Sequence, residues 1–174
     1  DINNDNGIKA LTLVKDLVDA GSMSKEVINW TQGDVMNQFI SGNIAMMVNG
    51  PWQVPTMREQ APDLNWDVTL LPKDAEYASC LGGENFGVID GDNVDAALDF
   101  LQFATSKDEV ASYIDDFGYI AARKDVAEGQ FTDDETMQKF TEEMQYAQPR
   151  GPHAQWPEIS DALSLAVNES ITGT

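Results

Sequence analysis

Four tryptophans are the side chains of this sequence best suited to holding a small solute. A sugar ring presents an apolar C–H face that stacks on an indole, while its hydroxyl groups need polar partners. Trp52 follows the turn-forming Asn49-Gly50-Pro51, and this position, with the Asn49 amide beside it, favours a binding surface over the core. Trp156 fits a pocket or a helix start equally well. Trp30 precedes a helix, where packing as a hydrophobic staple is favoured and a pocket is the alternative.

Polar side chains that could grip hydroxyl groups lie further along the chain. Gly83 allows a close backbone approach, and Glu84 and Asn85 then supply a carboxylate and an amide for paired bonds to a diol. A hinge turn that needs glycine flexibility explains the same residues without a ligand. Arg123 offers a planar fork of donors, for which a surface ion pair is an equally good explanation. We include all four residues in the predicted ligand-binding set.

No catalytic centre is marked in this sequence. A glycosidase needs two carboxylates about 5 to 9 Å apart. The 30 acidic residues of this sequence could supply such a pair, but no motif identifies one. The single histidine, His153, lies in a proline-rich turn without a partner motif, and the single cysteine, Cys80, has no base at a recognisable spacing. The sequence contains no phosphate loop and no zinc-protease motif. We predict a non-enzymatic protein without a cofactor or a metal.

The charge balance argues against several classes of partner. Thirty acidic and ten basic side chains give a net charge of −20, whereas binding to nucleic acid or to an anionic membrane surface needs clustered Lys and Arg. An acidic, solubilising surface is the favoured explanation, and a cation-binding role is the alternative. The composition, 42% hydrophobic and 23% charged, is that of a globular protein. No run reaches the roughly 20 apolar residues of a membrane span.

Hydrophobic spacing along the chain predicts an α/β protein. Apolar residues at helical intervals predict helices. One of these helices is capped by Thr31 and ends at Gly42. Pro51 suits the first turn of the next helix. Short apolar or alternating runs predict strands, one of which leads to Trp52 at a sheet edge. The predicted helices span about 8–18, 35–40, 94–105, 108–117, 133–147 and 157–170, and the predicted strands span 44–48, 66–71 (with Trp66 as packing) and 85–89.

Five motifs in one order resemble a known family. Residues 39–52 read FISGNIAMMVNGPW, 70–72 read LLP, 81–85 read LGGEN, 97–105 read ALDFLQFAT and 118–123 read GYIAAR. Together they resemble the extracellular solute-binding proteins of sugar ABC importers, the maltose-binding-protein-like group. The last motif departs from the family pattern at Ala121, where proline is usual. Each motif alone is weak, whereas five in sequence cover most of the chain.

The resemblance implies a periplasmic-binding-protein-like fold with two lobes (type II), present here as a carboxy-terminal fragment. Residues 1–78 would form the first part of the carboxy-terminal lobe, 79–148 would belong to the amino-terminal lobe, and 149–174 would return to the carboxy-terminal lobe. The protein would be bacterial and extracellular or periplasmic, with a lipid anchor on a missing amino-terminal segment. It would capture a sugar or oligosaccharide between the lobes, with Trp52 as an aromatic platform, for import by a membrane permease.

Other functions remain compatible with the same residues. The fold could bind another solute, such as a polyamine attracted by the acidic charge, and the other classes are a glycan-active enzyme and an acidic interaction domain. A fragment with unpaired strand edges is expected to bind its sugar weakly and to self-associate, unless the missing amino-terminal half is present as a second chain.

Overall fold

The computed structural model describes residues 3–173, which form eight α-helices and two short strands. Short 3-10 turns connect several of the helices, at Lys25–Asn29, Pro51–Gln53, Asp115–Phe117 and Met144–Tyr146. The strands are β1 (Ser79–Leu81) and β2 (Ala147–Pro149). The helices are α1 (Asp5–Asp19), α2 (Gln32–Ile40), α3 (Val54–Gln60), α4 (Val94–Ala104), α5 (Lys107–Tyr113), α6 (Lys124–Ala127), α7 (Glu135–Glu143) and α8 (Trp156–Thr172).

The chain divides into two compact units. Unit 1 consists of residues 1–37 and 151–174, and unit 2 consists of residues 38–150. This division does not coincide with the lobes predicted at 1–78, 79–148 and 149–174, and the lobe assignment stays a prediction. Among the described residues, no helix combines the length and the apolar character that crossing a membrane requires.

Unit 1 is built on the packing of α1 against α8. α1 begins where the Asn4 side chain accepts hydrogen bonds from the backbone N–H groups of Asn6 and Gly7, which satisfies two donors that the helix itself leaves free. Val18 on α1 and Ile171 on α8 are buried. The helices predicted over residues 8–18 and 157–170 are therefore confirmed.

The cap and the stop predicted for α2 are both present. Asp34 donates its backbone N–H to the Thr31 hydroxyl (3.2 Å), and Thr31 donates its own N–H to the Asp34 carboxylate (2.8 Å). Hydrogen bonds from the hydroxyl and the N–H of Thr31 hold the pKa of the Asp34 carboxyl below its usual value. Gly42 follows the helix with a φ of +71°, a conformation that glycine adopts without a Cβ clash.

The three predicted strands are wrong. Within residues 3–173, the segments 44–48, 66–71 and 85–89 take part in no sheet. A strand needs a neighbouring strand to pair its N–H and C=O groups, and the described residues supply no such strand for these three segments. Met46 and Ile89 are 86% and 91% exposed, so neither apolar run is covered on both faces. Trp52 accordingly does not lie at the edge of a sheet.

The sheet that does form is parallel and has two strands, β1 and β2. Beside it, the rings of Tyr77 and Tyr146 stack at 4.9 Å, and the Lys73 ammonium lies 4.7 Å from the centre of the Tyr77 ring. The described protein is thus mostly helical with a small parallel sheet, less β-rich than the α/β prediction. The register places Ser79 opposite Ala147, Cys80 opposite Gln148 and Leu81 opposite Pro149.

The core of unit 2 explains the unusual residue in the GYIAAR motif. Val110, Ala121 and Val126 are buried together, with side chains from α5 and α6 around them. The backbone N–H of Ala121 donates to the Gln130 side-chain oxygen at 2.8 Å. Proline has no N–H and could not make this bond, so alanine at position 121 suits the local structure.

Candidate functional site

The turn at residues 49–55 fixes the position of the Trp52 side chain. Gly50 donates its N–H to the Asn49 side-chain oxygen at 3.0 Å, and Pro51 begins the short turn that leads into α3, as predicted. The Trp52 indole folds back over Gly50, which is buried. A Cβ atom at position 50 would lie 2.2 Å from the indole ring, so only glycine leaves room for this placement.

A second turn, at residues 117–119, packs against the first. Gly118 has a φ of +67° and is buried. A Cβ atom there would lie 2.8 Å from the carbonyl oxygen of Pro51 and 2.9 Å from Cδ of Pro55. The close contact of these two backbones brings Tyr119 beside Trp52. We call residues 49–55 and 117–119 together the turn pair.

Four aromatic rings lie side by side at the turn pair, and we call them the aromatic row. The ring centres of Trp52 and Tyr119 are 6.2 Å apart and inclined by 46°. Phe117 follows at 6.3 Å from Tyr119, and Tyr113 at 6.2 Å from Phe117. These separations are those of rings in direct contact, which stabilise one another beyond the area that they bury.

The aromatic row offers apolar faces together with hydrogen-bond donors. Trp52, Tyr119 and Phe117 remain 36%, 37% and 57% exposed. Among residues 3–173, no group forms a hydrogen bond with the indole N–H of Trp52 or with the hydroxyl of Tyr119. Such a surface can stack on the apolar face of a solute and donate to its oxygen atoms. The described residues include no group of three or more His, Cys, Asp or Glu that could hold a metal ion.

An ion pair ties α3, the helix after Trp52, to the start of α7. Arg58 donates twice to the Asp134 carboxylate, with Nη1 to Oδ2 at 2.7 Å and Nη2 to Oδ1 at 2.8 Å. Asp134 also caps α7 by accepting the N–H of Met137 at 3.1 Å. The hydrogen bonds from Arg58 lower the pKa of the Asp134 carboxyl, and the same bonds raise the pKa of Arg58.

The predicted contacts at Gly83, Glu84 and Asn85 have no link to the aromatic row in the described part of the chain. All three residues are exposed, and a Cβ atom at Gly83 would have nothing within 4 Å. No hydrogen bond or ring contact connects them to Trp52 or Tyr119. Their role in ligand binding stays a prediction.

Arg123 has its donors engaged within the protein. Its Nε and Nη2 donate to the two carboxylate oxygens of Asp125 at 3.0 and 2.9 Å, and its Nη1 donates to the carbonyl oxygen of Thr105 at 3.2 Å. The hydrogen bonds from Arg123 lower the pKa of the Asp125 carboxyl. The surface ion pair is thus present, and a ligand contact by Arg123 stays a prediction.

Trp30 and Trp156 belong to unit 1, whereas Trp52 belongs to unit 2. Trp156 is the first residue of α8, and Trp30 follows the 3-10 turn before α2. Both side chains are partly buried. Their roles as pocket residues stay predictions.

A family model described as bacterial extracellular solute-binding protein matches residues 1–141. The chain belongs to this family. Membership confirms the resemblance at the level of solute-binding proteins and implies an extracellular or periplasmic location. This membership extends to solute-binding proteins as a whole and does not include the sugar-importer subgroup.

Relatives of the chain in two Brucella species carry names that describe them as candidate binding proteins. They come from Brucella abortus (strain 2308), Brucella abortus biovar 1 (strain 9-941) and Brucella suis biovar 1 (strain 1330), and each is 26% identical over 170 residues. The match covers 95% of this chain and 41% of each relative. The chain therefore spans about 41% of the length of the relatives that it matches.

Within this solute-binding protein, Tyr119 and Phe117 are candidate site residues that sequence reasoning missed. Two aromatic residues flank Gly118 in the GYIAAR neighbourhood, and that pattern is visible in the sequence. The two aromatic residues become candidates only because Gly118 contacts Pro51, and these two residues are far apart in the chain. The motif resemblance thus marked this segment without indicating its contact with Pro51.

Proposed function

We propose that this chain is part of a receptor that binds a sugar or oligosaccharide for an ABC importer. The observation that carries the proposal is the partly exposed Trp52 indole, fixed over Gly50 with Tyr119 beside it. Aromatic faces with unengaged donors suit a solute that has apolar C–H faces and many hydroxyl groups. Membership of an extracellular solute-binding family supports the same function.

The proposed mechanism is hinge closure of a two-lobe, type II fold. The ligand prefers the closed state and shifts the population towards it, and the membrane permease recognises that closed form. The parallel pairing of β1 with β2 supports the proposal that these two segments, at the two ends of residues 79–148, are the crossings between the lobes. The complete receptor would contain the rest of the amino-terminal lobe and a lipid anchor, and it would release its ligand unchanged.

Calorimetric titration of the complete receptor with oligosaccharides tests this function. We expect the wild type to bind at least one of maltose, cellobiose, xylobiose and chitobiose. Trp52→Ala should weaken that binding by roughly 1 to 3 kcal/mol, which is about 5- to 150-fold, because a stacking surface is lost. Phe103→Ala is the matched control, since it removes a 59% exposed ring on α4 that is outside the aromatic row. Its affinity should equal that of the wild type.

Two outcomes of this experiment would overturn parts of the proposal. Mass spectrometry of the sugar after incubation should show it intact, and a shortened product would make the protein an enzyme. If Trp52→Ala unfolds while its remaining folded fraction binds normally, Trp52 is a core residue and the assigned site is wrong.

A polyamine is the second candidate ligand, and the net charge of −20 favours it. Acidic surfaces attract cations, and this attraction weakens as salt screens the charges. Spermidine therefore belongs in the same titrations, at low and at physiological salt. Binding of spermidine with a steep salt dependence, in the absence of sugar binding, would replace the sugar in the proposal.

A further inference from the structure

We infer that Tyr119 is a second ligand-contacting ring, so that Trp52 and Tyr119 each stack on one unit of an oligosaccharide. This inference rests on the proposed function and narrows its ligand from sugars in general to chains of at least two units. It also gives a binding role to Tyr119, a residue whose motif indicates only a turn.

The distance between the two rings decides how a sugar can lie on them. Their centres are 6.2 Å apart, which is the separation of aromatic rings already in contact. No sugar ring fits between them, so a ligand has to lie across their exposed faces. Because the rings are inclined by 46°, one flat sugar ring cannot stack fully on both. Two linked units can, one on each ring.

Both rings are held in place by the protein before any ligand arrives. Trp52 is held over Gly50, and Tyr119 is placed by Gly118, whose backbone touches Pro51 and Pro55. Ordering a side chain on binding costs free energy, so rings that are already ordered bind more strongly than mobile ones. The two exposed rings therefore form one preformed surface.

Each ring also brings a hydrogen-bond donor to the same surface. Within the described residues, the indole N–H of Trp52 and the hydroxyl of Tyr119 have no partner in the protein. Sugar hydroxyl and ring oxygens accept such bonds. Stacking faces next to donors match the mixed apolar and polar character of a saccharide.

Titration of the complete receptor with matched monosaccharides and disaccharides tests the inference. The probes are glucose with maltose and cellobiose, xylose with xylobiose, and N-acetylglucosamine with chitobiose. We expect the wild type to prefer a disaccharide to its monosaccharide. Tyr119→Ala should weaken disaccharide binding by about tenfold and change monosaccharide binding by less than about twofold, because only the second unit loses its stacking face.

Three further variants complete the test. They examine the Tyr119 hydroxyl, the position of the Trp52 indole, and the case in which Tyr119→Ala does not fold. Tyr119→Phe keeps the stacking face and should cost no more than about threefold. Gly50→Ala keeps both rings but pushes the indole aside, so it should weaken monosaccharides and disaccharides together, as Trp52→Ala does. If Tyr119→Ala does not fold, Tyr119→Leu keeps the apolar volume without a flat face and should give the same loss.

The outcomes distinguish this inference from the function on which it rests. Weakening by Trp52→Ala with no effect of Tyr119→Ala would overturn the role of Tyr119 and leave sugar binding intact. Equal weakening of monosaccharides and disaccharides by Tyr119→Ala would show that both rings contact one unit, which overturns the two-unit site. A wild type that binds none of these sugars would overturn the proposed function and this inference with it.

Discussion

The turn pair and the segment 82–91 both contain glycines, but the surroundings of these glycines differ. In the turn pair, Gly50 and Gly118 each lie so close to other atoms that a Cβ would clash, at 2.2 Å and 2.8 Å. In the segment 82–91, a Cβ at any of the four glycines would meet nothing within 4 Å. In the first region, glycine lets an indole ring and a second backbone approach closely, whereas the described residues leave the space beside the glycines of the second region open.

The same contrast extends to the side chains of the two regions. Around the turn pair, Val54 and Met57 are buried, and Arg58 and Asp134 form a two-bond ion pair. In the other region, Phe86 is 70% exposed, and within the described chain residues 83–90 take part in no hydrogen bond. A glycine-containing motif therefore indicates a turn, and only its neighbours decide whether the turn is rigid.

The largest expected effect is that of Gly118→Ala. A non-glycine residue at a φ of +67° is strained by about 1–2 kcal/mol, and the new Cβ would also press on the Pro51 carbonyl. We expect the free energy of unfolding to fall by roughly 2 kcal/mol or more, measured by urea titration. Gly82→Ala is the control from the other region and should change stability by less than about 0.5 kcal/mol. Equal effects of the two changes would remove the contrast.

An intermediate effect is expected at Asp134, which both caps α7 and pairs with Arg58. Asp134→Ala removes both interactions and should lower the free energy of unfolding by roughly 1–2 kcal/mol. Asp134→Asn keeps a good capping group and removes the charge, so it should cost only about 0.5 kcal/mol, because half of the Arg58 side chain is exposed and solvent screens the pair. A larger loss for asparagine than for alanine would contradict this division.

The stability contributed by the Asp134 charge should depend on pH with a known sign. The hydrogen bonds from Arg58 lower the pKa of Asp134 in the folded state, so the contribution is fully present above the unfolded aspartate pKa of about 3.9. It is lost as the pH falls through the lowered folded-state value. The stability difference between the wild type and Asp134→Asn should be constant from about pH 7 to 5 and disappear in stronger acid. A difference that grows on acidification would overturn the assigned cause.

The smallest effect on stability is expected in the segment 82–91. Phe86→Ser with Ile89→Ser changes side chains that are 70% and 91% exposed, so the free energy of unfolding should change by less than about 0.5 kcal/mol. Because exposed apolar side chains promote association, the double variant should scatter less light than the wild type at equal concentration. A loss of more than 1 kcal/mol would show that this segment is packed after all.

Sequence reasoning succeeded where the signal is contained in a few neighbouring residues. The helix cap at Thr31, the helix end at Gly42 and the helix start at Pro51 are all confirmed. Each of these features depends either on a hydrogen bond between a side chain and the backbone of the adjacent helical turn, or on the φ angle that a single residue can adopt. Those requirements are the same in any fold, so the sequence is sufficient to predict them.

Sequence reasoning failed where two distant segments have to meet. The apolar run at 44–48 has the composition of a buried strand, but a strand also needs a partner, and the described residues supply none. The hydrogen bond from Arg123 to the Thr105 carbonyl oxygen likewise joins residues 18 positions apart, and no local pattern predicts it. Residue type gives the chemical capacity of a side chain, and its neighbours determine how that capacity is used.

The sequence by itself determined the solute-binding family, every α-helix of the described residues except α6, and the turn that carries Trp52, because motif order and local periodicity are properties of neighbouring residues. The tertiary structure alone decided that Gly118 touches Pro51 and that Tyr119 therefore lies 6.2 Å from Trp52. The physical reason is that a contact between distant residues depends on how the whole intervening chain folds. No spacing within either motif contains that information.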